Sequence, residues 1–395
     1  MLKEQIKELS QHYSNDFIEI RHHLHAHPEL SFHEFETSAF VKSKLESFGI
    51  TCTSIAQTGV VAVIRGQKGG GKVVALRADM DALPIQECND VSYRSTRDGV
   101  MHACGHDVHT TCLLGAARIL QETRDQWGGT VKLIFQPGEE KNPGGASILI
   151  KEGVLENPHP DAILALHVNP SLEVGKLSFR SGMVMASADE IYITITGKGG
   201  HAAAPHLTTD TILTASQLVV NLQQVVSRIN DPFNPSVLSL TSIHGGSTTN
   251  VIPSEVKLSG TFRAMNETWR FAAHDWIRRI CKSTAAITGA QIDVHIDVGY
   301  PFLINDRELT EMARGKASEY MGDENVEETE MRMGAEDFAF YSHQVPACFF
   351  RLGTGNKEKN IVSGVHTPTF NIDEAAIKTG MGIMAWLAVS SASQP

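Results

Sequence analysis

The first half of the chain alternates short, β-branched apolar segments with helical segments, and no other feature of the sequence constrains the fold as strongly. Strands are predicted at residues 60–66, 73–78, 130–135 and 162–166. Helices are predicted at residues 108–122 and 145–152. This alternation is typical of a mostly parallel sheet that is covered by helices on both faces. Three consecutive glycines at residues 69–71 predict a hairpin between the first two strands.

Polar side chains that can bind a metal follow three of these strands. Asp79 and Asp81 come after the second strand, Glu139 and Glu140 after the third, and His167 after the fourth. Because open α/β sheets bind ligands at the carboxyl ends of their strands, we expect these side chains to face one site.

Residues 101–109 form a loop that is rich in histidine and leads into the helix at 108–122. Its candidate ligands are His102, Cys104, His106, Asp107 and His109. A thiol and an imidazole two residues apart suit zinc-like transition metals, although cysteine and histidine are also ordinary core residues. The helix dipole is expected to lower the pKa of the thiol. Together with the three strand ends, this loop predicts a metal centre.

The pattern changes at about residue 187. Strands at 191–196, 237–243, 256–264 and 292–298 and helices at 215–229 and 267–287 follow the order β-α-β-β-α-β of a ferredoxin-like α+β fold. We therefore expect an α/β chain of two domains. Residues 1–186 and 300–395 would form the catalytic, metal-binding domain, and 187–299 an inserted lid and dimerisation domain.

Composition excludes several classes of function. With 395 residues and a net charge of −11, the chain lacks the basic character that nucleic-acid binding requires. We expect no apolar run long enough to cross a bilayer, and the charged, amphipathic N-terminus does not resemble a signal peptide. The six cysteines are scattered without a disulfide pattern, which favours the cytoplasm. One helix is predicted over residues 1–27, and the histidines near its end are interpreted as helix-end residues.

Five motifs in this order resemble the M20 metallopeptidase superfamily. They are Arg21-x-x-Leu-His-x-x-Pro-Glu-Leu30, Arg77-Ala-Asp-Met-Asp-Ala-Leu-Pro84, His102-Ala-Cys-Gly-His-Asp-x-His109, Phe135-Gln-Pro-x-Glu-Glu140 and Gly334-x-Glu-Asp-Phe338. The resemblance is to the amidohydrolase branch, which includes hydrolases of N-acyl-L-amino acids, hippurate and auxin conjugates. It covers nearly the whole chain. One departure is Gly138, where the family usually has alanine.

The resemblance implies a role for each matching residue. The implied metal ligands are Cys104, His106, Glu140, His167 and His366. Glu139 would be the general base that acts on a metal-bound water. His201 of the insert would help to hold the developing oxyanion and would reach the active site of a partner subunit. Asn250 and Arg263 would bind the substrate carboxylate, and the chain would form a homodimer through the insert.

The residue types fit this chemistry. The site would keep a net positive charge, because the charge of two divalent ions exceeds that of one thiolate, one glutamate and one hydroxide. A positive site suits an anionic substrate. If Glu139 and Glu140 were adjacent on an extended strand end, they would point to opposite sides, so one could bind metal and the other act as base. Asp79 and Asp81 would orient the ligand histidines. Glu336 and Asp337 have no role that follows from their chemistry alone.

The sequence thus predicts a cytoplasmic amidohydrolase that cleaves N-acyl-L-amino acids to a carboxylate and a free amino acid. Its cofactor would be two divalent ions, zinc or manganese, with cobalt or nickel as alternatives. Its partner would be a small-molecule substrate, with neither nucleic acid nor membrane. Three alternatives stay open, namely a dipeptidase or aminopeptidase with the same site, a catalytically silent binding protein and a thiol hydrolase that uses Cys104.

Overall fold

The computed structural model describes residues 1–393 and divides the chain into two compact units. The large unit comprises Met1–Gly182, Ile304–Glu330 and the chain from Asp337 onward. The small unit comprises Met183–Leu303 and Met331–Glu336.

The helices and strands are numbered in chain order. The helices are α1 (Leu2–His12), α2 (Ser14–Ala26), α3 (Phe35–Ser47), α4 (His106–Glu122), α5 (Gly145–Lys151), α6 (Thr211–Leu222), α7 (Glu267–Thr288), α8 (Arg307–Met321), α9 (Ala339–Ser342) and α10 (Ala375–Ala392). The strands are β1 (Cys52–Ile55), β2 (Gly59–Arg65), β3 (Val73–Asp79), β4 (Thr130–Gln136), β5 (Ala162–Glu173), β6 (Leu177–Phe179), β7 (Gly182–Met185), β8 (Asp189–Thr196), β9 (Gly200–His201), β10 (Ser236–His244), β11 (Val251–Ile252), β12 (Glu255–Ala264), β13 (Gln291–Val298), β14 (Leu303–Asn305), β15 (Val326–Glu328) and β16 (Ala347–Gly355).

The large unit is built on an eight-stranded mixed sheet with the order β1-β2-β4-β3-β5-β16-β6-β15. Its four central strands, β4, β3, β5 and β16, are parallel to one another. These strands are almost wholly buried, as expected for parallel strands that are covered on both faces. The predicted mostly parallel α/β sheet is therefore confirmed.

The predicted hairpin between β2 and β3 is wrong. β4 lies between them, antiparallel to β2 and parallel to β3, and β2 forms its hairpin with β1 instead. In the connection between β2 and β3, Gly71 allows close packing, because a Cβ there would lie 2.3 Å from the carbonyl oxygen of Ala392. The apolar pattern of a buried strand does not identify its neighbours, and glycine marks both tight turns and close backbone contacts.

Two expectations about helices also need correction. The single helix expected over residues 1–27 is divided at Tyr13 into α1 and α2. Its second part starts at Ser14-Asn15-Asp16, residue types that favour the start of a helix over its interior. The expectation of no membrane-length apolar run is wrong for α10, which is long and apolar enough to cross a bilayer by length and composition. Most of α10 is buried within the protein, however, as in the core helix of a globular fold.

The small unit contains the elements β8-α6-β10-β12-α7-β13 in chain order. Its four strands pair antiparallel in the order β10-β12-β8-β13, which is the ferredoxin-like arrangement expected from the sequence. Ile191, Ile193 and Ile195 of β8 are fully buried with apolar residues of α6 and α7. Asp210 and Asn266 cap these two helices by accepting hydrogen bonds from the third residue beyond each cap.

Two helical glycines offer a matched test of packing in the large unit. A Cβ at Gly115 of α4 would lie 2.6 Å from the Cβ of Met381 in α10, whereas a Cβ at Gly315 of α8 would meet no atom within 4 Å. We expect Gly115→Ala to destabilise the protein by about 1–3 kcal/mol through overpacking. Gly315→Ala should stabilise it by about 0.5–1 kcal/mol, because alanine is the better helix former. Urea unfolding measures both changes, and shifts of the two midpoints in the same direction would contradict this account of α4–α10 packing.

Candidate metal centre

The five predicted metal ligands lie together in the large unit. The ligand atoms of Cys104, His106 and His167 all lie within 4.8 Å of one another, and so do those of Cys104, Glu140 and His366. Cys104 belongs to both groups. His106 also forms a third group with Glu139 and Glu140.

Local backbone structure brings these ligands together. Cys104 precedes α4, and His106 is the first residue of that helix. Between them, Gly105 has a φ of +83°, and a Cβ there would lie 2.6 Å from the Val168 side chain, so the turn requires glycine. His366 also has a positive φ, of 61°, and its N–H donates to the carbonyl of Ala103. This hydrogen bond joins the loop of His366 to the loop of Cys104.

His167 occupies a different position from the expected one. The sequence predicts His167 directly after a strand over 162–166, but β5 continues to Glu173, so His167 lies in mid-strand. Its Nε2 lies 3.5 Å from the Cys104 sulfur, and its Nδ1 donates to the carbonyl of Val168. Burial lowers the pKa of His167 well below its usual value, and the neighbouring His109 adds to this effect. His167 is therefore held neutral, the state in which an imidazole binds metal.

The two glutamates also differ from expectation, because they do not continue a strand. β4 ends at Gln136, and Glu139 and Glu140 lie in the turn that follows. Their backbone N–H groups donate to the two carboxylate oxygens of Asp81, at 3.1 and 3.0 Å. The positions of both side chains are thus fixed by the hydrogen bonds of a turn and not by strand alternation.

Asp81 also contacts a predicted ligand. Its Oδ1 lies 3.1 Å from His106 Nδ1, and since a carboxylate only accepts, Nδ1 carries the proton and Nε2 faces the other ligands. Asp79 instead bonds to Nδ1 of His109, whose Nε2 accepts from the N–H of Val168. Asp79 therefore orients a histidine outside the predicted ligand set. His102 is also outside that set, and burial lowers its pKa to about 4.

The donor set fits a divalent transition metal. His106 Nε2 is buried and has no hydrogen-bond partner among residues 1–393. Glu140 Oε1 forms an ion pair with His366 Nε2 at 3.1 Å. Buried polar atoms without a hydrogen bond are rare and call for an unseen ion or water. One thiol, three imidazoles and a carboxylate are the donors that zinc and similar ions prefer.

The electrostatics of this cluster correct one expectation. Burial raises the pKa of the Cys104 thiol, and the charge of Glu140 raises it further. The predicted lowering of this pKa by the helix N-terminus is therefore wrong for the protein without bound metal. Hydrogen bonds to Cys104 and Glu140 raise the pKa of His366 to about 10. A thiol of raised pKa is a poor nucleophile, which weighs against the thiol-hydrolase alternative.

The remaining predicted site residues belong to the small unit. His201 pairs with Val251 in the short β9–β11 ladder, and the neighbouring N–H of Ala202 donates to the Asn250 carbonyl. His201 and Asn250 are therefore close neighbours and both are exposed. Arg263 lies on β12 in the four-stranded sheet, where its guanidinium donates to the Thr261 hydroxyl.

Several buried residues that contact the site elements were not anticipated. Asp337 accepts hydrogen bonds from Arg77, from the side chain of Gln136 and from the N–H of Ala146, so it connects β3, β4 and α5. Glu34, at the start of α3, accepts from the N–H of Gly138. Asp337 lies in the motif Gly334-x-Glu-Asp-Phe338, whereas Glu34 lies in none of the five motifs, and nothing in the sequence indicates what either residue contacts.

The fold and the cluster together define a two-unit α/β protein with a group of side chains that could hold metal ions. Residues 75–390 match the family described as peptidase family M20/M25/M40, and the chain belongs to that family. It is 45% identical over 306 residues to the N-acyl-L-amino acid amidohydrolase of Geobacillus stearothermophilus, covering 77% of this chain and 82% of the relative. It is 40% identical over 393 residues to thermostable carboxypeptidase 2 of Saccharolobus solfataricus, covering 98% and 97%.

A solved structure agrees with these relatives. A Bacillus subtilis protein described as a dinuclear metal binding peptidase from the M20 family superposes with a TM-score of 0.83 at 35% identity, covering 96% of this chain and 98% of that one. The predicted family and fold are therefore confirmed, and the chain is a hydrolase of this family.

Asp81 offers a test of how ligand orientation affects metal binding. Its carboxylate accepts from four donors, so Asp81→Asn would place an amide N–H₂ against at least one of them. We expect metal affinity to fall about 10- to 100-fold, measured by competition with a chelator. Asp161→Asn is the matched control, because Asp161 is exposed and bonds only the start of β3. Equal affinities in the two variants would contradict the role of Asp81.

Glu34 offers a test of pH dependence. Burial and the nearby charge of Asp81 raise its pKa from 4.5 to about 7. The folded state therefore binds this proton more tightly than the unfolded state, and the resulting stability, complete below about pH 4.5, is lost as the pH rises through 7. Residue 34 cannot titrate in Glu34→Gln. The unfolding free energy of this variant, relative to that of the wild type, should therefore increase by roughly 2 kcal/mol between pH 5 and pH 8. A constant difference across this range in denaturant titrations would show that Glu34 ionises normally.

Proposed function

We propose that this protein hydrolyses the amide bond of N-acyl-L-amino acids to a carboxylate and a free amino acid. One observation carries the proposal: five side chains that can bind metal lie close together beside the buried carboxyl group of Glu139. They are those of Cys104, His106, Glu140, His167 and His366. The named activities of the relatives support it, since they include an N-acyl-L-amino acid amidohydrolase.

In this proposal the five ligands hold two divalent ions. When bound, the ions would polarise the amide carbonyl and lower the pKa of a water molecule to near neutral. Cys104 belongs to both ligand groups, so in this proposal it would help to hold the ions. The orientation of His106 by Asp81 prepares Nε2 for coordination without further rearrangement.

Glu139 would act as the general base. It is 6% exposed, and one of its carboxylate oxygens lies in the same group of ligand atoms as His106 and Glu140. Its task would be to take a proton from the attacking water and deliver it to the leaving nitrogen, which is otherwise a poor leaving group. The hydrogen bond from its N–H to Asp81 fixes the backbone from which it acts.

The small unit would supply substrate contacts. We assign His201 to the developing oxyanion and Asn250 and Arg263 to the substrate carboxylate. The proximity of His201 to Asn250 and the permanent charge of an arginine support this assignment. We further propose a homodimer formed through residues 187–299, because Leu213 and Val220 leave more than half of their side-chain surface exposed there. A fully active monomer would refute the dimer.

We place the protein in the cytoplasm, because all six cysteines are free and none is paired in a disulfide. The metal ions are proposed to be zinc or manganese.

The proposal is tested by assaying N-acetyl-, N-benzoyl- and indoleacetyl-amino acids together with dipeptides. We expect acyl-amino acids to turn over, chelation to stop the reaction and added metal to restore it. Glu139→Gln should lower kcat by about 10²- to 10⁴-fold while bound metal is retained, because only the proton-transfer group is lost. Glu46→Gln, an exposed acid on α3, is the control that should leave kcat unchanged.

Each outcome of this assay is informative. Turnover of dipeptides alone would overturn the substrate assignment and favour the peptidase alternative, which the carboxypeptidase relative also suggests. Full activity of Glu139→Gln would exclude it as the base. Inactivation by alkylation of Cys104 that chelators do not reproduce would favour a thiol hydrolase.

A further inference from the structure

The motif at residues 21–30 has no part in the proposed chemistry, yet it leads directly into a turn that contacts the site. This turn, residues 29–34, connects α2 to α3 and lies beside the strand end at Asp81 and Ala82. The carbonyl of Glu29 accepts from the N–H of Ala82, Leu30 forms a bridge with Ala82, and the hydroxyl of Ser31 donates to Asp81 at 2.6 Å. We call residues 29–34 the support turn.

The support turn and Asp81 together bind three consecutive backbone amides of the loop that carries the proposed base. The N–H of Gly138 donates to Oε1 of Glu34 at 2.8 Å, and the N–H groups of Glu139 and Glu140 donate to Asp81. Glu34 is completely buried. Its other partners are the N–H of Phe32 and the hydroxyl of Thr58, so its carboxyl group is itself held from two sides.

Phe32 contacts the same loop from its other side. A Cβ at Gly138 would lie 2.3 Å from Cε1 and 2.5 Å from Cζ of the Phe32 ring, so the ring lies directly against the glycine backbone. Both residues have a positive φ, 66° at Phe32 and 59° at Gly138. A positive φ is unusual for phenylalanine and persists only where surrounding contacts enforce it. The glycine at this position is therefore matched to the phenylalanine that covers it.

We propose that Glu34 and Phe32 are positioning residues that hold the backbone of Gly138 and thereby fix the general base Glu139 beside the metal ligands. The inference rests on the proposed function, because it assumes that Glu139 acts as the base. Neither residue touches the reacting atoms. Glu34 fixes the amide that precedes the base, and Phe32 limits the space into which that peptide can move.

Gly138 makes a further backbone hydrogen bond within the loop. Beyond the three amides, the carbonyl of Gly138 accepts from the N–H of Gly145, which closes the loop at its base. Glycine is the most flexible residue type, so a glycine directly before a catalytic residue needs external contacts to keep one conformation. Misplacement of a catalytic group by about 1 Å can cost on the order of 100-fold in rate.

The first experiment compares two substitutions of Glu34 in the metal-loaded enzyme. Glu34→Ala should lower kcat about 10- to 100-fold with KM and bound metal unchanged, because the base is displaced while the ligands remain. Glu34→Gln should retain most of the activity, since its carbonyl oxygen can still accept from Gly138 and Phe32. Glu29→Ala is the matched control: Glu29 is a buried acid of the same turn, but its carboxylate binds Thr37 of α3 and not the loop.

A second readout does not depend on activity. Hydrogen exchange of the amides at residues 138–140 should become at least about tenfold faster in Glu34→Ala than in the wild type, while Glu29→Ala leaves it unchanged. Because exchange is measured without substrate, this result stands even if the wild type hydrolyses none of the tested amides. Failure of the proposed function and failure of the inference are thus distinguishable.

A double-mutant cycle tests Phe32. Gly138→Ala should lower kcat about 10-fold or more in the wild-type background and by clearly less in the Phe32→Ala background, because the clash with the ring is then removed. Equal losses in both backgrounds would overturn the role of Phe32. Wild-type kcat and unchanged exchange in Glu34→Ala, or equal effects of Glu34→Ala and Glu29→Ala, would overturn the role of Glu34.

Discussion

The carboxylate of Asp81 is the contact on which the arrangement of the site depends most. It accepts from the backbone of Glu139 and Glu140, from the ring of His106 and from the hydroxyl of Ser31. Burial alone would raise its pKa, but the bond with His106 and these further donors lower it, so the group stays charged in the interior. A single buried charge thus connects a strand end, a helix start, the loop of the proposed base and the support turn.

Several other buried charges of the large unit are likewise paired with groups of opposite charge. Arg21 and His25 bond to Asp107, and Arg77 bonds to Asp337 and Asp79. Burial would raise the pKa of Asp107, but Arg21 and His25 lower it far below its usual range. An unpaired buried charge would cost several kcal/mol, so these pairs also restrict the conformations available to the ligand-bearing loops.

Much of this arrangement could be predicted from the sequence, because it depends on periodicity and on residue type. Alternation of apolar segments indicated the parallel sheet, and the resemblance named Cys104, His106 and His366, which the structure brings together. The order of strands could not be predicted. β4 lies between β2 and β3, and the apolar sequence of a buried strand does not indicate which strands pair with it. The contact of Glu34 could not be predicted either. Its partner is the backbone N–H of Gly138, and every residue type except proline has such a group.

The first and last strands of the four-stranded sheet in the small unit are neighbours. Asp189 of β8 pairs with Val298 of β13, so the inserted chain starts and ends at adjacent points. After the insertion the chain returns to the large sheet first as β15 and then as β16. β16 pairs in parallel with β5 and places Arg351 opposite His167. His366 follows β16, so the ligand set joins segments from before and after the insertion. Metal binding would therefore stabilise the union of these two segments in addition to its chemical role, since a site assembled by folding couples its binding energy to the fold.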